Sequence, residues 1–137
     1  MELRPDRLER QLASEPLRPV YLVAGGEPLL VQEAADAIRA RARTQGFNER
    51  EVLDAEGSFD WNALTMGVAS LSLFATQRLF DLRLPTGKPG KDGSQALQAY
   101  ASSINPDNVT LVTRAKLDWQ NQKAAWVGAL RQAGVYI

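Results

Sequence analysis

The sequence predicts an α/β domain, a three-layer and mostly parallel sheet with flanking helices. Three observations lead there. Val20-Tyr21-Leu22-Val23-Ala24 is a continuous apolar run of strand length, and such a run reads as a strand buried on both faces. Strand-like runs alternate with helical periodicity along the chain, which implies right-handed βαβ units. Hydrophobic residues make up 45% of the 137 residues, enough for the packed core of one domain.

The elements follow in order. Pro5 to Ala13 carries a short helical pattern with Leu3, Leu8 and Leu12 as apolar positions, and Pro16 and Pro19 end it. The first strand closes at Gly25-Gly26. Glu27-Pro28 opens a helix, since proline suits the first turn and an acid suits the dipole. Leu30, Ala34 and Ile38 recur every four residues, with Val31 and Ala42 beside them, and Gly46 is the stop. Glu51 to Asp54 is a short second strand, and Trp61 to Ala69 a helix capped by Asp60. A third strand covers Gln77 to Leu84, and Pro85 to Gly93 is a loop by composition.

Leu97, Tyr100, Ala101 and Ile104 form one helical stripe. Asn105 to Asn108 is a turn before a fourth strand, Val109 to Thr113. Asp118 caps a last helix whose apolar face holds Trp119, Trp126, Val127 and Leu130, and Gly134 to Ile137 begins a fifth strand or connector. The end falls in a β-like run without a polar tail, so the chain reads as the N-terminal piece of something longer, with residues 1–137 as one domain.

Composition removes several function classes. Lysine plus arginine equal aspartate plus glutamate, 16 each, so no field steers the domain onto nucleic acid, and direct nucleic-acid binding is not expected. Without cysteine there are no disulfides or thiolate metal sites, and without histidine the commonest general base and metal ligand are gone. The charged start, Met1 to Asp6, lacks the apolar stretch of a signal peptide, and no run is long enough to cross a bilayer. The expectation is a cytoplasmic protein with no membrane partner.

The turn after the first strand is where α/β proteins bind phosphates. Here it reads Ala24-Gly25-Gly26-Glu27-Pro28-Leu29-Leu30. A working P-loop needs a lysine for the phosphates and a hydroxyl for magnesium, and both are missing. Glu27 would repel phosphate, and Pro28 removes a backbone donor. No properly spaced third glycine completes a dinucleotide fingerprint. The turn reads as a tight connection, a degenerate nucleotide position, and no cofactor is expected. Thr86-Gly87-Lys88 ends like a P-loop, but Leu82 occupies the earlier glycine position and Pro89 comes next.

Catalytic acids are also missing. The third strand has Asp81 in its middle, read as solvent-facing or edge-pairing, and ends Arg83-Leu84-Pro85, where an ATPase needs acids for magnesium and water. Asp54 could be a phosphoacceptor in a receiver-like signalling domain, the alternative alongside an active P-loop domain. That chemistry wants an acidic pair after the first strand, where Gly25-Gly26 stands, so Asp54 reads as a surface acid. Trp61, Trp119 and Trp126 read as packing, since base stacking wants tryptophans interleaved with cations on one exposed face.

Ser70-Leu71-Ser72-Leu73-Phe74-Ala75 places three large apolar side chains just before the third strand, beside serines. They either point into the core or form an exposed knob that fills another protein's pocket, as binding hot spots do. The residues alone leave both readings open.

The segments Val20 to Glu33, Asp60 to Ala63, Ser70 to Ala75 and Ala124 to Trp126, taken in this order and spacing, resemble the delta subunits of the bacterial DNA polymerase III clamp loader over their N-terminal domain. The resemblance implies an AAA+ or P-loop-NTPase-like fold with a decayed nucleotide site at Gly25, Gly26, Glu27 and Pro28. It implies a non-catalytic part of a DNA-directed DNA polymerase (nucleotidyltransferase) holoenzyme. The partner implied is the β sliding clamp, one of whose ring interfaces delta springs open. Leu73 and Phe74 would enter the clamp's pocket and Leu71 would wedge near the ring interface, with Ser70, Ser72 and Ala75 flanking. Many relatives carry methionine at the Leu71 position; leucine keeps the apolar character but is stiffer. The family continues into lid and collar domains, absent here, and the collar joins the other loader subunits.

Overall fold

The computed structural model describes residues 5–24, 28–47, 49–54, 61, 77–84, 90–102, 108–114 and 125–136. The described elements are α1 (Pro5–Ser14), β1 (Val20–Ala24), α2 (Pro28–Thr44), β2 (Glu49–Asp54), β3 (Arg78–Leu84), α3 (Gly90–Ser102), β4 (Asn108–Arg114), α4 (Ala125–Ala133) and β5 (Val135–Tyr136). The five strands form one sheet in the order β2-β3-β4-β1-β5, with every pair parallel.

Period-two alternation in β1 divides the core. Val20 and Leu22 join Phe80, Leu82 and Leu84 of β3, Leu97 and Tyr100 of α3, and Trp126, Val127 and Leu130 of α4. Tyr21 and Val23 point the other way, to Leu8 and Leu12 of α1 and to Ala34, Ala35, Ile38 and Ala42 of α2. Helices therefore cover both faces, and the expected three layers are observed. Trp61 and Trp126 pack in the first of these cores, as expected. No helix among the described residues is long and apolar enough to cross a membrane.

Five expectations need correction. Leu30 is not in the buried stripe of α2 but is exposed. It is in phase with Ala34 one turn on, so its place along the axis, not its face, exposes it. Strand β2 starts two residues early, at Glu49, which pairs in register with Arg78; an edge strand tolerates the charges that hid this pairing. Helix α3 begins at Gly90, so Gly90 to Gly93 are helix rather than loop. Glycine and proline mark helix starts as well as loops, and Asp92 in the first turn suits the dipole. Asn108 is the buried first residue of β4 rather than the end of a turn. Asp81 is buried completely, because β3 is an interior strand flanked by β2 and β4. Residues 62–69 of the helix expected over Trp61 to Ala69, the Asp118 cap, Ile104 and Trp119 lie outside the described residues.

Two glycines are required by backbone geometry. Gly46 ends α2 at φ +97°, a conformation that L side chains rarely adopt. Gly134 joins α4 to β5 against Val20: a methyl there would strike the Val20 carbonyl oxygen and lie 2.6 Å from Val20 Cγ1 and 2.8 Å from its carbonyl carbon. Backbone cannot swing aside as a long side chain can. Gly134→Ala is expected to lower stability by about 2–3 kcal/mol, read as a fall in urea midpoint with unchanged m-value.

Tyr100 fastens α3 to the entrance of β1. Its hydroxyl donates to the Pro19 carbonyl at 2.8 Å, which also accepts from the Thr110 backbone N–H at 3.0 Å. Burial raises its pKa from the ordinary 10.0 to about 12. The folded state therefore holds a proton that the unfolded chain releases first, and this contribution is full below pH 10 and lost as pH rises to 12. Tyr100→Phe is expected to cost about 1 kcal/mol near pH 8 through the lost hydrogen bond. Between pH 10 and 12 the wild type should then lose on the order of 2–3 kcal/mol that the variant does not, visible in urea titrations at stepped pH.

Candidate functional site

In a parallel sheet of this kind, ligands bind beyond the carboxyl ends of the strands, where the connections diverge. Here β1 ends at Ala24 and α2 begins at Pro28. The chain then runs from β1 to the far edge strand β2, so this turn sits at the divergence. The last paired rows give its surroundings. Val23 lies opposite Thr113, Thr113 opposite Arg83, and Arg83 opposite Asp54. An arginine thus occupies the β3 position where acids for magnesium are needed. Asp54, exposed at the end of β2, is three strands from β1, or about 14 Å at the usual spacing. The first turn of α2 presents Leu29 and Leu30, both exposed. Among the described residues, no group of three acids could hold a metal ion.

One charged cluster was not read from the sequence. Asp81 accepts from Arg39 of α2 through Nε at 2.9 Å and Nη2 at 3.3 Å. Arg50 of β2 reaches the same carboxylate through Nε at 3.2 Å and Nη2 at 2.6 Å. Arg83 of β3 stands 3.8 Å away, and Arg39 also donates to Asp36 at 2.8 Å. The buried acid joins α2, β2 and β3. No periodicity reveals this, because Arg39 and Asp81 are 42 residues apart. An acid in the middle of a strand, between Phe80 and Leu82, was the available signal.

Ser70, Leu71, Ser72, Leu73, Phe74 and Ala75 lie outside the described residues, as do Gly25, Gly26 and Glu27. Strand β3 begins shortly after the first of these segments. Arg78 opens it opposite Asn108, is buried, and places its guanidinium 5.2 Å from the Phe80 ring centroid, a cation–π contact. Gln77 approaches the end of α2, where a methyl on Gly46 would come within 2.8 Å of its Oε1. This entrance of β3 is at the opposite end of the sheet from the β1–α2 turn.

The family model described as DNA polymerase III, delta subunit, matches residues 21–137. The chain belongs to the DNA polymerase III delta-subunit family. It is 34% identical over 137 residues to the DNA polymerase III subunit delta of Escherichia coli (strain K12), covering 100% of this chain and 40% of that protein. The Haemophilus influenzae subunit delta is 31% identical over 128 residues, 93% of this chain and 37% of that protein. This delta-family chain thus spans about two fifths of the length of the curated relatives it matches. The Bacillus subtilis DNA clamp loader delta protein (YqeN) superposes with a TM-score of 0.75 at 22% identity, over 98% of this chain and 42% of that one. The fold expected of a delta chain, an AAA+-like sheet between helix layers, is the one observed.

Proposed function

We propose that this chain is the N-terminal, clamp-engaging domain of a clamp-loader delta subunit acting in DNA replication. It binds the β sliding clamp through Leu71, Leu73 and Phe74, with Ser70, Ser72 and Ala75 flanking, and opens one interface of the ring. The observation that carries this reading is the delta-family match over residues 21–137, which includes the apolar segment before β3. The residues by themselves leave a core and a knob open; the knob is supported by a β3 already supplied with Leu79, Phe80, Leu82 and Leu84, which leaves the greasy stretch free to fill a partner's pocket.

The mechanism needs no covalent step. A ligand opens a ring only by binding the open-compatible conformation better than the closed one. Leu73 and Phe74 anchor, Leu71 wedges, and the sheet that follows in the chain begins at Arg78, paired opposite Asn108. The domain hydrolyses no nucleotide and takes no cofactor, because the Gly25-Gly26-Glu27-Pro28 turn offers neither lysine nor hydroxyl, and Arg83 stands where acids are required. ATP-using partners in the loader supply the energy, and delta joins them through parts outside residues 1–137. The parent assembly is the cytoplasmic polymerase III holoenzyme, and this domain makes no direct contact with nucleic acid or membrane.

Calorimetric titration of the domain into a bacterial β clamp tests the reading, with an ATP titration beside it. Clamp binding without ATP binding is expected. ATP binding without clamp binding would replace the proposal with an active nucleotide domain.

A further inference from the structure

Three guanidinium groups surround one buried carboxylate. Arg39 and Arg50 already give Asp81 two N–H donors each. A carboxylate has about four lone-pair sites, so these two arginines fill it. Arg83 stands 3.8 Å from the same oxygen, beyond hydrogen-bond reach. Among the described residues Arg83 has no other ion pair or hydrogen bond. Arg50 keeps an unused Nη1, and Asp36 answers the charge of Arg39. The excess positive charge therefore lies at Arg50 and Arg83, whose side chains are each 43% exposed.

The sheet presents these two arginines on an open face. Asp81 points toward α2, since Arg39 reaches it. Val52, its register partner, shares that face, while Leu53 packs in the core on the other side. Arg50 precedes Val52 by two residues on β2, and Arg83 lies diagonally ahead on β3. The core beneath α2 draws on β1, β3 and β4 but, among the described residues, not on β2. Val52 is accordingly 44% exposed. An apolar side chain between arginines with free donors has the composition of a contact centre.

Charge decides the occupant. A guanidinium with free donors matches a carboxylate or a phosphate. Asp36 from α2 and Asp54 from the end of β2 border the patch, both exposed. They repel the continuous phosphate backbone of a nucleic acid but leave room for one carboxylate between apolar neighbours. We infer that Arg50, Val52 and Arg83 form a docking site for an acidic protein segment, whose carboxylate caps the two guanidinium groups and whose apolar neighbour covers Val52. This rests on the Asp81 cluster, not on clamp contact at Leu71 to Phe74.

The probe is the capped tripeptide N-acetyl-Val-Glu-Val-amide, compared with the same peptide carrying Gln at its centre. Each is titrated into residues 1–137 and followed by NMR at the arginine Nε–H groups and the valine methyls. The Glu peptide should give saturable shifts at Arg50, Arg83 and Val52. The Gln peptide should bind about tenfold more weakly, the usual worth of a hydrogen bond to a charged group. Arg83→Gln should weaken the Glu peptide by about the same factor and leave the urea midpoint unchanged. Arg83→Lys keeps the charge but loses the planar fork, and should fall between. Absence of saturable shifts, equal binding of the two peptides, or binding that Arg83→Gln leaves untouched would overturn the inference. Tighter binding of a short oligothymidylate at the same arginines would assign the face to nucleic acid and overturn it too. Shifts at Val52 that grow with protein concentration, without peptide, would assign it to a second copy, with the same consequence. No clamp is present in these titrations, so the fate of the clamp proposal does not enter the result.

Discussion

The Leu73→Ala/Phe74→Ala double variant is expected to lose detectable binding to the β clamp while remaining folded. Central hot-spot residues are few and apolar or aromatic, and removing two of them costs on the order of 3–6 kcal/mol of binding. At 1.4 kcal/mol per tenfold that is roughly a hundredfold to ten-thousandfold in affinity. Stability of the free domain separates the knob from the core reading. If the two side chains are exposed knobs, their truncation should shift unfolding by no more than about 0.5 kcal/mol. If they are core, it should cost several kcal/mol, since a Leu or Phe truncated in a packed interior loses about 2–5. Urea unfolding and clamp calorimetry on the same preparation therefore give opposite patterns for the two readings. Loss of stability with unchanged clamp affinity would remove Leu73 and Phe74 from the interface.

The fold was legible where burial on both faces dictates composition. Val20 to Ala24 is apolar at every position because helices cover both sides of β1, and β4 reads similarly at Val109, Leu111 and Val112. The stripe on α4 was legible because Trp126, Val127 and Leu130 all meet one core. Legibility failed where composition serves two purposes. Gly90 to Gly93 looks like a loop and is the first turn of α3. Glu49 and Arg50 look too polar for a strand and pair with Arg78 and Leu79 at the sheet's edge. Leu30 repeats with Ala34 yet emerges into solvent, because periodicity fixes a face and not a depth. At the Gly25 to Pro28 turn the missing lysine and hydroxyl are features of the sequence itself. The placement of Arg83 beside Thr113 needed the register.

Asp81 is the residue whose burial the sequence hid, and Asp81→Ala is expected to destabilise the domain by about 3–5 kcal/mol. The magnitude comes from what would be left behind. Arg39 donates two hydrogen bonds to Asp81, and its side chain is only 17% exposed, so without Asp81 its Nε and Nη2 lose their carboxylate while Nη1 keeps Asp36. Arg50 bonds the same carboxylate at 2.6 Å but is 43% exposed, and it can turn outward. Arg83, at 3.8 Å and equally exposed, has least to lose. A double-mutant cycle should therefore rank the couplings to Asp81 as Arg39, then Arg50, then Arg83, the last within about 0.5 kcal/mol of zero like other exposed pairs. Asp81→Leu combined with Arg39→Met should recover much of the loss, because a buried ion pair replaced by apolar side chains of similar volume is often close to neutral. Urea midpoints with a constant m-value measure each arm. A loss below about 1 kcal/mol for Asp81→Ala would mean that the guanidinium groups find water without strain. The carboxylate would then not be what holds α2, β2 and β3 together.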